Sequence, residues 1–166
     1  MNNIYLIGFM GAGKTAVART LSEMTKKEKV DTDDIITERV GKSISDIFSE
    51  DGEEYFRKVE REVVSSLTAE KDLIVACGGG VIKSDENLAQ LKRGGTVVFL
   101  YASPETVLER VSRNNRRPLL EGKKNLSDIK AMMDERMPFY EKAYDIRIDV
   151  DGKSLEEIAE EIIKGV

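Results

Sequence analysis

The sequence contains no histidine, and this absence excludes several kinds of catalytic site. Ser-His-Asp and Cys-His mechanisms both need an imidazole to carry the proton, and all His-bearing zinc sites need one as a ligand. Any general base in this chain must therefore be a carboxylate, a lysine or a tyrosine.

Cysteines and long apolar runs are also scarce. The single cysteine, Cys77, cannot form a disulfide bond within the chain, and the first residues do not read as a secretory or transit signal. No apolar run approaches the roughly 20 residues that a membrane-spanning helix needs. We therefore expect a cytoplasmic protein with no membrane partner.

Net positive charge is lacking as well. The chain has 166 residues, which suits one domain, with a net charge of −5 and a pI of about 5.0. Because proteins bind nucleic acid mainly by neutralising phosphates, we expect no nucleic-acid partner. Our expectation for the assembly is a monomer. If the ligands are anions, basic residues must be concentrated locally against the overall sign.

A glycine-rich segment, Gly8–Thr15, is the most informative part of the sequence. Its residues G-F-M-G-A-G-K-T fit the phosphate-loop motif G-x-x-x-x-G-K-[ST] at every fixed position. A short apolar run over 4–7 precedes it, and apolar residues at helical spacing follow it. A glycine-rich turn without a ligand would not account for this agreement of strand, loop and helix. We therefore expect a nucleoside triphosphate to bind here.

The residue types of the segment suit this ligand. Backbone N–H groups in such a turn form a pocket for anionic oxygens, and the start of the helix adds its positive dipole end. We expect Lys14 to reach the outer phosphates and the Thr15 hydroxyl to ligate Mg²⁺. The predicted nucleotide-binding residues of this segment are Gly11, Ala12, Gly13, Lys14, Thr15 and Ala16.

Strand-like and helix-like segments alternate along the chain, which is typical of a parallel sheet covered by helices on both faces. The clearest strands are predicted at 3–7, 73–76, 96–101 and 146–150. A helix resumes near Leu126, and we expect Pro138 to kink or end it. Ser154 and Glu157 predict a capping box at the start of the last helix.

The triplet Asp31-Thr32-Asp33 lies where a short second strand is predicted to end. Ligands of open α/β sheets bind at the carboxyl ends of the strands, so these carboxylates should be neighbours of the phosphate loop. A carboxylate there can hold Mg²⁺ through water, or take a proton from an attacking hydroxyl. The alternative is that the acidic residues only cap a helix.

A third element follows the apolar run 73–76. The run ends in Cys77 and then in three glycines, Gly78–Gly80, without the strand-end aspartate of many phosphate-loop enzymes. Glycines let a ligand approach the backbone and can donate N–H groups to a hydroxylated or anionic substrate. The alternative is a flexible turn. We expect Cys77 to be a small buried residue and not a nucleophile.

Basic residues are concentrated in the segment 110–124, which has six of them and one acidic residue. The segment also lacks apolar periodicity, so we predict a mobile lid that closes over phosphates, with a solvated loop as the alternative. Arg57 and Arg136 could bind a carboxylate through their forked guanidinium groups. Their spacing alone gives neither arginine special weight, because acidic partners for Arg57 lie on the same predicted helix.

Taken together, these segments resemble the shikimate kinase family along essentially the whole chain. The phosphate loop is similar to that of the family, and so is the D-x-D element of Asp31 and Asp33. Further similar elements, in the same order and spacing, are Ser43-Ile44, Asp46-Ile47-Phe48, Gly52-Glu53, Phe56-Arg57, Glu60, Gly78–Gly80, Arg117-Pro118-Leu119-Leu120, Arg136, Pro138 and Tyr140.

The resemblance implies a three-layer α/β/α P-loop fold with a five-stranded parallel sheet, substrate-binding helices and a mobile lid. It implies one kinase domain over 1–166, with a substrate-binding segment at about 33–61 and the lid at about 112–125. The implied reaction is transfer of the ATP γ-phosphoryl group to the 3-hydroxyl of shikimate, with Mg²⁺ as cofactor, in aromatic amino acid biosynthesis.

The resemblance also implies roles for individual residues. Asp33 would hold the 3-hydroxyl as base or orienter, and Lys14 and the lid residue Arg117 would neutralise charge on the transferred group. Thr15 and Asp31 would serve the Mg²⁺ site, and Arg110 would lie against the adenine. The residues implied to bind shikimate are Asp33, Phe48, Phe56, Arg57, Gly78, Gly79, Gly80 and Arg136.

Two other interpretations stay open at this point. Within the same class, the chain could be a gluconate-type or nucleotide kinase, because gluconate is also a hydroxylated acid. From a different class, it could be a nucleotide-dependent switch, although the N-K-x-D element of guanine-specific switches does not occur in the sequence.

Overall fold

The computed structural model describes residues 2–113 and 125–166. Within these ranges five strands alternate with helices. The strands are β1 (Asn3–Ile7), β2 (Glu28–Asp31), β3 (Leu73–Ala76), β4 (Gly95–Tyr101) and β5 (Ile146–Asp149). The helices are α1 (Lys14–Thr25), α2 (Thr32–Val40), α3 (Ile44–Glu50), α4 (Glu53–Thr68), α5 (Asp85–Gly94), α6 (Pro104–Arg113), α7 (Leu126–Ala143) and α8 (Leu155–Gly165).

The strands form one parallel sheet in the order β2-β3-β1-β4-β5. Two of the three inner strands, β1 and β3, are buried at every position, as their uninterrupted apolar runs predict for strands covered on both faces. Because all strands are parallel, the segments that follow β1, β2 and β3 leave the sheet at the same side, where the carboxyl ends of the strands lie. This side therefore brings together the phosphate loop, the acidic triplet and the three glycines.

Alternate residues of β1 enter two separate cores. Ile4 and Leu6 pack with α1, α6 and α8 on one face, whereas Tyr5 and Ile7 pack with α4 and α5 on the other. This arrangement confirms the predicted three-layer α/β/α fold. The predicted capping box of the last helix is also confirmed, because Ser154 and Glu157 form it at the first turn of α8.

The prediction for Pro138 was wrong about the end of the helix, since α7 continues through it to Ala143. A proline in a helix interior removes one hydrogen bond at a cost of about 3 kcal/mol. The helix is nevertheless held on both sides of the proline. Ile129 and Met133 pack into one core before it, and Tyr140 and Ala143 pack into the other core after it. Tertiary packing thus outweighs the local penalty.

Two other boundaries bear on the site. Strand β2 begins at Glu28, because Glu28 and Lys29 pair with Leu73 and Ile74 of the neighbouring strand β3. The predicted lid over 112–125 lies almost wholly outside the described residues, and so does Arg117. None of the helices in the described ranges is long and apolar enough to span a bilayer.

Candidate active site

The phosphate loop connects β1 to α1 at the carboxyl end of β1, which is the central strand of the sheet. Gly13, immediately before the helix, has a φ of 93°, a conformation that costs an L-residue with a side chain about 1–2 kcal/mol. Within the loop, the N–H of Ala12 donates to the carbonyl of Phe9 at 3.1 Å. The predicted nucleotide-binding residues thus form one continuous turn into a helix N-terminus, the arrangement that attracts phosphate oxygens.

Lys14 folds back over this loop. Its ammonium donates to the carbonyl oxygens of Gly8 and Phe9. Its positive charge also acts on Asp31 and Asp33. The pKa of each carboxyl is raised by burial, and the Lys14 charge offsets part of that rise. One lysine is therefore close to the loop and to the acidic triplet at the same time. The next residue, Thr15, is exposed, and Ala16 is half-buried.

Arg110 links α6 to the phosphate loop. Its Nη1 donates to the carbonyl of Gly11 at 2.8 Å, and a Cβ added to Gly13 would lie 3.3 Å from the same nitrogen. The structure thus brings Arg110 to the phosphate loop. A role against adenine in particular stays a prediction.

The acidic triplet begins α2 directly after β2. Asp31 is the N-cap, and its Oδ1 accepts hydrogen bonds from the N–H groups of Asp33 at 2.8 Å and Asp34 at 3.3 Å. Capping is therefore one real role of Asp31, as the alternative interpretation held. Asp33 is different, because its carboxylate points to Gly78, where an added Cβ would lie 2.5 Å from Oδ1.

Both aspartates have a raised pKa. Burial raises the pKa of Asp33, the Asp31 charge raises it further, and Lys14 and Arg57 only partly offset these effects. Burial also raises the pKa of Asp31, with a further contribution from Asp34. A carboxylate with a raised pKa is a stronger base, which is the property that a general base needs.

The three glycines, here called the triglycine loop (Gly78–Gly80), each face a different predicted site residue. Gly78 contacts Asp33, as described above. A Cβ on Gly79 would lie 2.6 Å from Nη1 of Arg136, and one on Gly80 would lie 2.6 Å from Cζ of Arg57. Side chains on this loop would therefore displace one carboxylate and two guanidinium groups. This explains why glycine occupies all three positions.

The Gly78 N–H has a partner within the protein, which restricts the predicted role of this residue. It donates to Thr32 Oγ1 at 2.8 Å. Gly78 therefore contributes to the site by leaving room for Asp33, and the backbone donors that could reach a ligand are those of Gly79 and Gly80.

Arg57 is held between an acidic residue and an aromatic ring. Its Nη1 lies 3.0 Å from Oε1 of Glu60, which is 2% exposed at the side chain, and its Cζ lies 5.1 Å from the centroid of the Phe56 ring. Phe56 in turn contacts Phe48, with ring centroids 4.8 Å apart. The two predicted ring-contacting residues therefore form one aromatic wall beside Arg57.

Arg136 approaches from α7 on the other side. Its Cζ lies 5.5 Å from the centroid of the Phe9 ring in the phosphate loop. Tyr140, one turn further along α7, has a buried hydroxyl close to Arg136. Burial raises the pKa of this tyrosine, and nearby Arg136 offsets the effect only in part. Arg57 and Arg136 thus face the triglycine loop from two different helices.

Two contributors to this geometry were missed by sequence reasoning. Thr32 was named only as the middle of the acidic triplet, and Phe9 only as a variable position of the motif. Thr32 is fully buried, and its only sequence signal is its position between two aspartates, which does not reveal that burial. Phe9 gives no signal of its own, because apolar residues in loops usually serve the core.

The donor set fits Mg²⁺. The Thr15 hydroxyl and the Asp31 carboxylate are hard oxygen ligands, and Mg²⁺ typically takes one or two protein ligands together with phosphate oxygens and water. Among the described residues no group of three or more acidic, cysteine or histidine side chains could hold a metal alone. A site of few ligands that is completed by the nucleotide agrees with this arrangement.

Comparisons with known proteins agree with the geometry. A family model described as shikimate kinase matches residues 10–166. A shikimate kinase from Thermodesulfovibrio yellowstonii is 43% identical over 164 residues, which cover 99% of this chain and 94% of that protein. Another from Persephonella marina is 44% identical over 163 residues, 98% of either chain.

Solved structures give the same result. A shikimate kinase from Acinetobacter baumannii in complex with shikimate superimposes with a TM-score of 0.91 at 36% identity, covering 99% of this chain and 92% of that one. A gluconokinase from Sinorhizobium meliloti shares the fold alone, with a TM-score of 0.61 and 18% identity. The chain therefore belongs to the shikimate kinase family, whose members are ATP- and Mg²⁺-dependent kinases that act on shikimate.

Proposed function

We propose that this chain transfers the γ-phosphoryl group of ATP to the 3-hydroxyl of shikimate, with the residue roles given below, and so serves aromatic amino acid biosynthesis. The observation that carries the proposal is the triglycine loop, because Asp33, Arg136 and Arg57 each face one of its glycines. These residues supply one base and two carboxylate-binding groups beside a phosphate loop. An acceptor that has both a hydroxyl and a carboxylate matches this set.

Binding of the acceptor depends on the two arginines and the backbone. Arg57 and Arg136 hold the shikimate carboxylate and neighbouring hydroxyls, together with the N–H groups of Gly79 and Gly80. Phe48 and Phe56 line the ring of the substrate. These roles of the arginines are supported by the position of their guanidinium groups, which approach the triglycine loop from different helices.

Transfer itself needs placement and charge neutralisation more than covalent chemistry. As the acceptor oxygen bonds to the γ-phosphorus, the bond from that phosphorus to the β-phosphate oxygen breaks and ADP leaves. Asp33 accepts the proton of the 3-hydroxyl, or orients that hydroxyl. Lys14 offsets the negative charge of the transferred group, and Arg117 does so from the segment outside the described residues.

Nucleotide and metal are held on the other side of the site. The segment Gly11–Ala16 binds the phosphates, and Arg110 lies against the adenine. Thr15 would hold Mg²⁺ directly, and Asp31 would hold it through water. When bound, Mg²⁺ neutralises charge on the β- and γ-phosphate oxygens.

We further infer that the enzyme acts as a cytoplasmic monomer without nucleic-acid or membrane partners. Support against a nucleic-acid partner comes from the net charge of −5. We also propose that residues 1–166 form a single domain, in which about 33–61 bind the substrate and about 112–125 form a lid.

An acceptor-dependent ADP-release assay tests the proposal. Shikimate, gluconate and nucleoside monophosphates are compared at saturating ATP, and we expect shikimate to be preferred. Asp33→Asn should lower turnover by roughly 10²- to 10⁴-fold. The matched control is Asp34→Asn, its exposed neighbour on α2, for which we expect nearly parental turnover. Preference for another acceptor, or equal turnover of both variants, would contradict the proposal.

A further inference from the structure

The hydroxyl of Thr32 joins two loops of the site. Its Oγ1 accepts the 2.8 Å hydrogen bond from the N–H of Gly78, although the two residues are 46 positions apart in the chain. Thr32 is 0% exposed, so water does not compete for this bond. We propose that Thr32 is a positioning residue that holds the triglycine loop in register with Asp33, an inference that rests on the proposed function.

This bond extends the pairing of β2 with β3 beyond the point where the main chain can continue it. Val30 pairs with Val75 and Asp31 with Ala76, which are the last two rungs between these strands. Helix α2 begins at Thr32, so the backbone turns away from the sheet there. The Thr32 side chain therefore supplies one more link, directly to the first residue of the triglycine loop.

The Thr32–Gly78 hydrogen bond holds Gly78 against the Asp33 carboxylate, where the two residues are closely packed. The Asp33 carboxylate lies so close to Gly78 that an added Cβ would be 2.5 Å from Oδ1. The proposed acceptor is held by the other end of the same loop, through Gly79 and Gly80. The Thr32–Gly78 bond thus sets the distance between the base and the acceptor hydroxyl. Misplacement of reacting groups by about 1 Å can lower a rate 100-fold.

Three consecutive side chains would then have three separate tasks. Asp31 caps the helix and orients its first turn, because it accepts the Asp33 N–H. Thr32 ties that turn to the neighbouring loop, and Asp33 acts on the acceptor. Threonine suits the middle position because its β-branched side chain has few χ1 rotamers, so the hydroxyl is held where the N–H needs it.

The test compares two substitutions of Thr32 by steady-state kinetics. Thr32→Val keeps the shape of the side chain but removes the acceptor and leaves the Gly78 N–H without a partner. We expect its kcat to fall about 10- to 100-fold while the KM for ATP stays within about twofold of the parent value. Thr32→Ser keeps the hydroxyl and should restore kcat to within about threefold of the parent.

A matched control separates positioning from ordinary loss of stability. Thr20 is also buried, and its hydroxyl bonds to the Ala16 carbonyl within its own helix at 3.1 Å. Thr20→Val should therefore leave kcat at 25 °C unchanged, whatever shift it causes in the midpoint of thermal unfolding, Tm. If folded Thr32→Val also retains kcat within twofold of the parent, the proposal is overturned.

Hydrogen exchange of the Gly78 amide, followed by NMR, gives a readout that needs no acceptor. The amide should exchange slowly in the parent and in Thr32→Ser. Rapid exchange in the parent would overturn the proposal even if Thr32→Val does not fold. Failure of the proposed function appears separately, as a parent enzyme that prefers another acceptor over shikimate.

Discussion

Arg57 and Glu60 form an ion pair in which one nitrogen, Nη1, donates to both carboxylate oxygens, at 3.0 and 3.2 Å. The same arginine uses its Nε to contact Glu53 at 3.4 Å. The two acidic side chains differ in exposure, with 2% for Glu60 and 63% for Glu53. A buried partner holds an arginine far more firmly than an exposed one, because solvent screens the exposed pair. Glu60 therefore sets the direction in which Arg57 meets the triglycine loop.

Glu60→Gln should accordingly raise the KM for shikimate by about tenfold, with a smaller change in kcat. Glutamine keeps the size of the side chain but removes the charge that orients the guanidinium. Glu53→Gln is the matched control on the same arginine, and its KM should stay within about twofold of the parent value. Steady-state kinetics with shikimate as the varied substrate measures both. Equal effects of the two substitutions would show that burial of Glu60 has no special role.

A second prediction contrasts two glycines. Gly80 has a φ of −97°, which alanine adopts without strain, but its added Cβ would lie 2.6 Å from Cζ of Arg57. Gly41 has the opposite properties, with a φ of 81° and no atom within 4 Å of an added Cβ. Gly80→Ala should therefore raise the KM for shikimate, or lower kcat/KM, with little change in Tm.

Gly41→Ala should do the reverse. The strained backbone costs about 1–2 kcal/mol, and 1 kcal/mol lowers the Tm of a domain of this size by roughly 2–4 °C. The kinetic constants should not change, because Gly41 ends α2 away from the site. Thermal unfolding and kinetics on the same two variants test the contrast. A Gly80→Ala variant that unfolds early and retains its activity would contradict it.

Sequence reasoning was most successful where a local pattern has one physical outcome. The phosphate loop lies between β1 and α1, and the capping box of Ser154 opens α8, because local geometry alone determines both. It was wrong where distant packing decides, as at Pro138, where two cores hold α7 together across the proline. Local rules carry no information about a penalty that tertiary contacts offset.

The candidate site shows the same division. The acidic triplet, the glycines and the arginines could be named from the sequence and the family resemblance. Which glycine faces which side chain could not, since Gly79 and Arg136 are brought together only by the topology of the sheet. The Thr32–Gly78 hydrogen bond also joins residues far apart in the chain, so no spacing rule could predict it.

A third prediction concerns stability and pH. Burial is the largest cause of the raised pKa of Asp33, followed by the Asp31 charge. A carboxyl with a higher pKa in the folded chain binds its proton more tightly there. Its contribution to the free energy of unfolding is therefore greatest below the ordinary value of 3.8, and it is lost as the pH rises through the raised pKa.

Asp33→Asn should thus be more stable than the parent at neutral pH, although it is far less active. We expect its Tm to be roughly 2–4 °C higher at pH 7.5, and this difference should shrink towards zero below about pH 4. Asp34→Asn, at the exposed neighbouring position, should gain no stability at either pH. Thermal unfolding of the three proteins at several pH values measures the effect. A variant less stable than the parent at pH 7.5 would show that the Asp33 charge stabilises the fold.

The last prediction tests the fork of Arg136. Its guanidinium lies against Gly79 and over the Phe9 ring, with Cζ 5.5 Å from the ring centroid. Lysine keeps the charge but cannot bind a carboxylate through two parallel hydrogen bonds, nor can it stack as a flat group. Arg136→Lys should therefore raise the KM for shikimate at least tenfold, with the KM for ATP within about twofold of the parent value.

The control for this change is Arg39→Lys on α2, an exposed arginine whose Nη1 lies 3.8 Å from Oε2 of Glu62. An exposed pair of this length contributes little, so both KM values should stay parental. If Arg136→Lys also leaves the KM for shikimate unchanged, a point charge suffices at this position and Arg136 does not bind the carboxylate through its fork. A rise in the KM for ATP instead would assign Arg136, through Phe9, to the nucleotide side of the site.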